Sequence, residues 1–120
     1  MRVIVKVAKS FKKQAKPLLK KFSSLRKDLS QLESELIKNP HLGVPIGKSS
    51  YKIRLAVKSK GKGKRGGLRV ISHIETEIIG IIENEGEEII VNLISIYDKS
   101  ETESITDKEL NDLISGLQTD

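Results

Sequence analysis

The 120-residue sequence has no cysteine and no tryptophan, only two phenylalanines and two tyrosines, and a single methionine. Without cysteine there can be no disulfide scaffold, thiol nucleophile or cysteine-based zinc site. With so few aromatics, a broad base-stacking platform of the RRM or OB type is excluded. The longest apolar runs, such as Ile78-Ile79-Gly80-Ile81-Ile82, are far too short to span a bilayer. The N-terminal MRVIVKVAKS has no apolar signal core or small-residue cleavage site, so a cytoplasmic protein with no membrane partner is expected. His41 and His73 form neither a pair nor a ligand spacing, and no metal or cofactor is expected.

The sequence is rich in charge, and the charge is segregated. Residues 1–70 hold 20 basic residues against Asp28, Glu33 and Glu35, a net of +17. Residues 71–120 hold Lys99, Lys108 and 13 acids, a net of −11. A basic half of this density implies a polyanionic partner, and nucleic acid is the commonest. The overall +6 conceals this division.

Apolar periodicity excludes a disordered chain and outlines the elements. RVIVKVA at 2–8 reads as a strand. Ser10 is placed to cap a helix from Phe11, with a kink or break expected at Pro17. Ser23 or Ser24 would cap a second helix carrying Leu25, Leu29, Leu32, Leu36 and Ile37 on one stripe, ended by Asn39-Pro40. Two prolines and two glycines make 40–50 a loop. Tyr51, Ile53, Leu55 and Val57 then alternate with Lys52, Arg54, Ala56 and Lys58, giving a strand with one apolar and one cationic face. SKGKGKRGG at 59–67 reads as a flexible basic loop. A strand follows from Leu68 to about Ile82, with a bulge near Thr76-Glu77. Asn84-Glu85-Gly86 is a hairpin turn signal. The strand from Ile89 to Tyr97 is apolar on both faces and so central. Thr106-Asp107-Lys108-Glu109 is a capping box opening a last helix with Leu110, Leu113, Ile114 and Leu117. The expected architecture is a single α+β domain over 1–120, β-α-α-β-β-β-α. It comprises a small, mainly antiparallel four-stranded sheet, an N-terminal helical hairpin and a short C-terminal helix, with the helices on one face.

Several strings, in order, carry a resemblance to a family: Ser10-Phe11-Lys12-Lys13; Asn39-Pro40 with Gly43 and Pro45; Tyr51-Lys52-Ile53-Arg54-Leu55; Gly61 through Ile71; Ile96-Tyr97-Asp98-Lys99-Ser100-Glu101; and Ile105-Thr106. Over nearly its whole length the chain resembles the RelE/ParE superfamily of type II toxins, its RelE and HigB-like branch above all. The resemblance implies a toxin neutralised by a cognate antitoxin. RelE-like members are metal-independent endoribonucleases that cleave mRNA on the ribosome and inhibit translation; ParE-like members poison DNA gyrase. Fold alone does not choose between these, and a non-enzymatic nucleic-acid-binding module is a third reading.

The resemblance also implies site residues. Cleavage by the 2′-hydroxyl requires a base, stabilisation of a more negative phosphorane-like state, and a proton for the leaving oxygen. Arg69 is assigned transition-state charge stabilisation, Lys52 proton transfer and Arg54 phosphate binding. Tyr97 is assigned base stacking or proton exchange, and Lys99 a nearby basic position. The family's arginine is Lys99 here, and a later tyrosine is Ile105. The alternatives are a solvated strand face for Lys52 and Arg54, a salt bridge to the acidic half for Arg69, and a core-edge tyrosine for Tyr97. Lys58, Lys60, Lys62, Lys64 and Arg65 are candidates for docking an RNA or ribosome backbone, in a loop that lacks the GxxxxGK[ST] spacing of a P-loop. His73, four residues from Arg69 on the same strand face, is a candidate proton donor.

Overall fold

A computed structural model describes residues 2–61, 63, 66–78, 87–101 and 104–117. It has strands β1 (Arg2–Val7), β2 (Val44–Gly47), β3 (Ser50–Leu55), β4 (Leu68–Ile78) and β5 (Glu87–Asp98), and helices α1 (Lys9–Lys21), α2 (Leu25–Lys38) and α3 (Asp107–Gly116). The architecture is α+β, with a five-stranded mixed sheet in the order β1-β5-β4-β3-β2. β1 runs parallel to β5 and the other neighbours are antiparallel.

Five strands replace the expected four. The additional strand, β2, lies within the Pro/Gly stretch read as a loop. Pro45 is tolerated there because β2 is an edge strand, whose outer side needs no N–H donor. The helices also occupy both faces. Phe11, Ala15, Phe22, Leu25, Leu32 and Leu36 cover one face through Ile53, Leu55, Val70, Val91 and Ile96. α3 covers the other, where Leu110 packs with Ile71, Ile94 and Ala8. Ile37 is off the α2 stripe and 50% exposed.

α1 starts earlier than expected, with Ala8 at the N-cap position, and it runs on through Pro17 without a break. Pro17 is exposed, so the carbonyl deprived of its donor lies on the solvent side. Ser10 therefore lies inside the helix, and its hydroxyl donates to the Ile94 carbonyl at 2.7 Å. This bond is one of a set. β1 pairs with β5 only as far as Leu93, and α1 then takes over the exposed edge of β5. The Ala8 N–H donates to the Leu93 carbonyl at 3.0 Å. Gln14 Oε1 accepts from the Ile96 N–H at 2.9 Å and the Ser95 hydroxyl at 2.8 Å.

The clasped segment holds the β-bulge of the β4–β5 pair. Ile71 pairs with Ser95 but Ser72 pairs with Leu93, leaving Ile94 as the extra residue. The expected bulge near Thr76-Glu77 is absent, since pairing there is regular. The hairpin signal Asn84-Glu85-Gly86 and the end of β4 expected near Ile82 lie outside the described residues. β5 has neighbours on both sides, as its two apolar faces require. The capping box at α3 is present in both halves, with the Glu109 N–H donating to Thr106 Oγ1 and the Thr106 N–H to Glu109 Oε1, each at 3.1 Å. Among the described residues, no helix is long and apolar enough to cross a membrane.

Gln14→Ala removes the acceptor for a backbone N–H whose residue is 1% exposed. It should lower unfolding free energy by about 1–3 kcal/mol in urea titration. An unchanged midpoint and slope would show that the clasp does not hold β5.

Candidate functional site

The bulge decides which face Tyr97 occupies. Leu93 and Ile96, three residues apart, both face the helical hairpin. Tyr97 consequently joins the α3 face, where regular alternation would have put it on the other. There it pairs in register with Arg69, which pairs in turn with Arg54. Arg54, Arg69 and Tyr97 thus form one rung across β3, β4 and β5. Lys52 lies two residues from Arg54 on the same side of β3.

The members of the rung differ in exposure. Arg54 is exposed, Lys52 is half-buried, and Arg69 is 3% exposed. Arg69 Nη1 donates to the Leu68 carbonyl at 3.3 Å, and this side chain has further interactions. Tyr97 is half-buried, and its buried hydroxyl has no hydrogen-bond partner among the described residues. Burial pushes the phenol above its usual range; the Arg69 charge opposes the rise and the Glu109 charge adds to it. Tyr97 is therefore a neutral phenol at physiological pH.

Two concavities flank the rung. A groove of about 630 Å³ follows the edge of β3 beyond the end of β2, against α2. Lys52, Arg54 and Lys58 line it, together with Asp28 and Glu35. A cavity of about 540 Å³ opens beside Tyr97, bordered by Asp98, Glu101, Glu109 and Asp112. Its carboxylates come from the end of β5, the following turn and α3. The site is thus cationic on its β3 side and acidic on its β5 side.

The remaining candidates separate. Lys60 is diverted to structure. It belongs to a short 3-10 turn (Lys58–Lys60) at the start of the segment read as a flexible loop. Its ammonium donates to Asp98 Oδ2 at 2.8 Å and sits 5.5 Å from the centre of the Phe22 ring. Its side chain is only 18% exposed. Lys58 is exposed, and Lys99 is exposed in the turn after β5. Lys62, Lys64 and Arg65 lie outside the described residues. His73 Nδ1 shares a hydrogen bond with Ser50 Oγ at 3.1 Å, two register positions beyond Lys52, and is half-buried. His41 Nδ1 is 3.0 Å from the Tyr51 hydroxyl. Among the described residues, no group of three or more His, Cys, Asp or Glu side chains could hold a metal ion.

Sequence reasoning missed Asp98 as the partner of Lys60, and it missed the row of α3 acids facing Tyr97. Only the contrast between a basic first half and an acidic second half hinted at such pairings. No protein-family model matches the chain, and no curated protein matches it by sequence.

Asp98 provides a pH-dependent contribution. Burial raises its carboxyl, but the Lys60 ammonium and the Ser100 N–H and hydroxyl more than reverse this, lowering it to about 2. A depressed carboxyl stabilises the fold above its unfolded value near 4, and that stability is lost as pH falls toward 2. The contribution at neutral pH is about 2 kcal/mol. Asp98→Asn should be less stable by about that amount at pH 7. Its stability should also fall less than that of the parent between pH 4 and 2, as followed by circular dichroism. Parallel acid-unfolding curves would contradict this assignment.

Proposed function

We propose that the chain is a toxin of the RelE and HigB-like type, a metal-independent endoribonuclease acting on mRNA at the ribosome and held inactive by a protein antitoxin. The observation that carries this reading is the Arg54–Arg69–Tyr97 rung with Lys52 beside it. Four groups suited to phosphate and proton chemistry, separated by up to 45 residues, share one sheet face and one end of three strands.

In this reading the RNA phosphate approaches from the Arg54 side, along the groove bearing Lys52 and Lys58. Arg54 makes the first, solvent-accessible contact. Arg69, withdrawn from water, supplies a field that costs no reorganisation as negative charge builds on the phosphorane. Lys52 exchanges the proton of the attacking 2′-hydroxyl. Tyr97, kept protonated by burial, donates to the leaving 5′ oxygen. The products are a cyclic or 3′-phosphate and a 5′-hydroxyl. Lys99 stands on the exposed turn following Tyr97, and a cytoplasmic location follows from the ribosomal substrate.

One observation favours a second reading. Arg69 is almost fully buried, and the cavity at Tyr97 is acidic. A site that binds without cutting tolerates both. A ParE-like gyrase inhibitor, or a non-enzymatic nucleic-acid-binding module, is the runner-up.

The test incubates purified protein with translating ribosomes and maps mRNA 5′ ends. Cleavage should fall by about a hundredfold in Arg69→Ala. Arg54→Ala, at an exposed position that does not endanger folding, should also weaken it. Intact mRNA, with cleaved plasmid accumulating when the protein is incubated in parallel with DNA gyrase, would instead establish the gyrase reading. Intact mRNA and DNA, with only a changed salt dependence of binding in the variants, would establish the binding module.

A further inference from the structure

The first acidic residue in the chain is Asp28, and ten basic residues precede it. The structure sets six of these on one helix, and one of them, Lys21, pairs with Glu101 at 3.7 Å. Lys9, Lys12, Lys13, Lys16 and Lys20 are all exposed on α1, at offsets of three, four, seven and eleven from Lys9. Phe11 and Ala15, with Leu18 and Leu19, face the sheet. At about 1.5 Å per residue, the lysines form a ridge about 16 Å long. Lys9 and Lys12 also join Lys6 of β1 around a cavity of about 470 Å³ that includes Glu75 and Asn92.

A merely soluble surface does not require this arrangement. Lys9–Lys13, Lys12–Lys16 and Lys16–Lys20 repel at the spacing where opposite charges would stabilise a helix. α2 shows the ordinary solution, mixing Arg26, Lys27 and Lys38 with Asp28, Glu33 and Glu35. α1 has no acid at all, so it presents a continuous positive field at the expense of its own stability.

We infer that the α1 lysine ridge is a docking surface for the phosphate backbone of a nucleic acid. α1 covers the sheet face opposite the one that bears Arg54, Arg69 and Tyr97, so this surface is distinct from the proposed reaction site. The chemistry selects the partner. Lysines are strongly hydrated point charges on flexible stems, suited to a diffuse backbone and not to bidentate reading of bases. A membrane-surface helix would carry exposed large apolar residues beside its lysines, whereas the other exposed residues of α1 are Gln14, Pro17 and Lys21. A protein interface would need a buried aromatic or arginine anchor, and the ridge has neither.

The experiment measures binding by fluorescence anisotropy, without any cleavage, to labelled RNA and DNA hairpins of equal length over a salt series. Lys12→Gln/Lys16→Gln is compared with Lys38→Gln/Lys108→Gln, which removes the same charge from α2 and α3. Glutamine matches lysine in helix propensity, and circular dichroism verifies the fold. The ridge pair should weaken binding by at least about fivefold and the matched pair by less than about twofold. Replacing Lys12, Lys13, Lys16 and Lys20 together should reduce the slope of log K against log salt by about three. Preference for either hairpin supports the surface and names the source of the phosphates. Equal weakening by the two pairs overturns the inference, as does binding to phosphatidylserine vesicles with no binding to either hairpin. Because no bond need be cut, loss of this result leaves the ribonuclease reading standing, and absence of cleavage leaves the docking surface standing.

Discussion

The arrangement of the site depends on how α1 clasps the free edge of β5. β1 is shorter than β5, so beyond Leu93 a central strand would expose unpaired backbone groups. The Ala8 N–H, the Ser10 hydroxyl and the Gln14 side chain meet those groups in turn. The clasp also stabilises the extra residue, Ile94, whose carbonyl accepts from Ser10. That insertion turns Tyr97 onto the face of Arg69, and it turns Asp98 back toward Lys60 and Phe22. A one-residue shift in a structure of period two thus assigns both a candidate reacting group and a structural carboxylate.

The positive charges of the first half serve different ends. Lys60 is neutralised by Asp98 and anchors the turn after β3 against Phe22. The same turn is tied to the start of α2 through Ser59 and Ser24, whose hydroxyls are 3.0 Å apart. Arg54 and Lys52 remain available on β3, while Arg69 is enclosed beneath the α3 face. Lys21 of α1 joins Lys60 over the Phe22 ring and pairs with Glu101, while Lys12, Lys13, Lys16 and Lys20 stand exposed on the outer side of the helix. Equal formal charges therefore have unequal chemistry, because burial and neighbours set what each cation can still bind.

Much of the architecture could be read from residue patterns. The stripe Leu25, Leu29, Leu32 and Leu36 marked α2, and the alternation from Tyr51 to Leu55 marked β3 and the side on which Lys52 and Arg54 stand. The doubly apolar run after Ile89 marked a central strand, and Thr106 with Glu109 marked the start of α3. β2 was not legible because Pro45 and the flanking glycines resemble a loop, and only its edge position makes proline acceptable. The bulge was misplaced because a threonine–glutamate pair interrupts alternation in sequence, whereas the true irregularity lies among residues that are all buried. Ser10 resembled a cap because its hydroxyl was expected to serve its own helix, yet it serves the neighbouring strand.

The class of fold, the cationic face of β3 and the division of charge between the two halves follow from local periodicity and composition, and so were written in the order of residues. The position of α3 opposite the helical hairpin, the burial of Arg69, the pairing of Lys60 with Asp98 and the meeting of Tyr97 with Arg69 came from the assembled fold. Those outcomes depend on strand register and on which surfaces exclude water. Both arise from contacts between residues distant in the chain, and no local pattern encodes them.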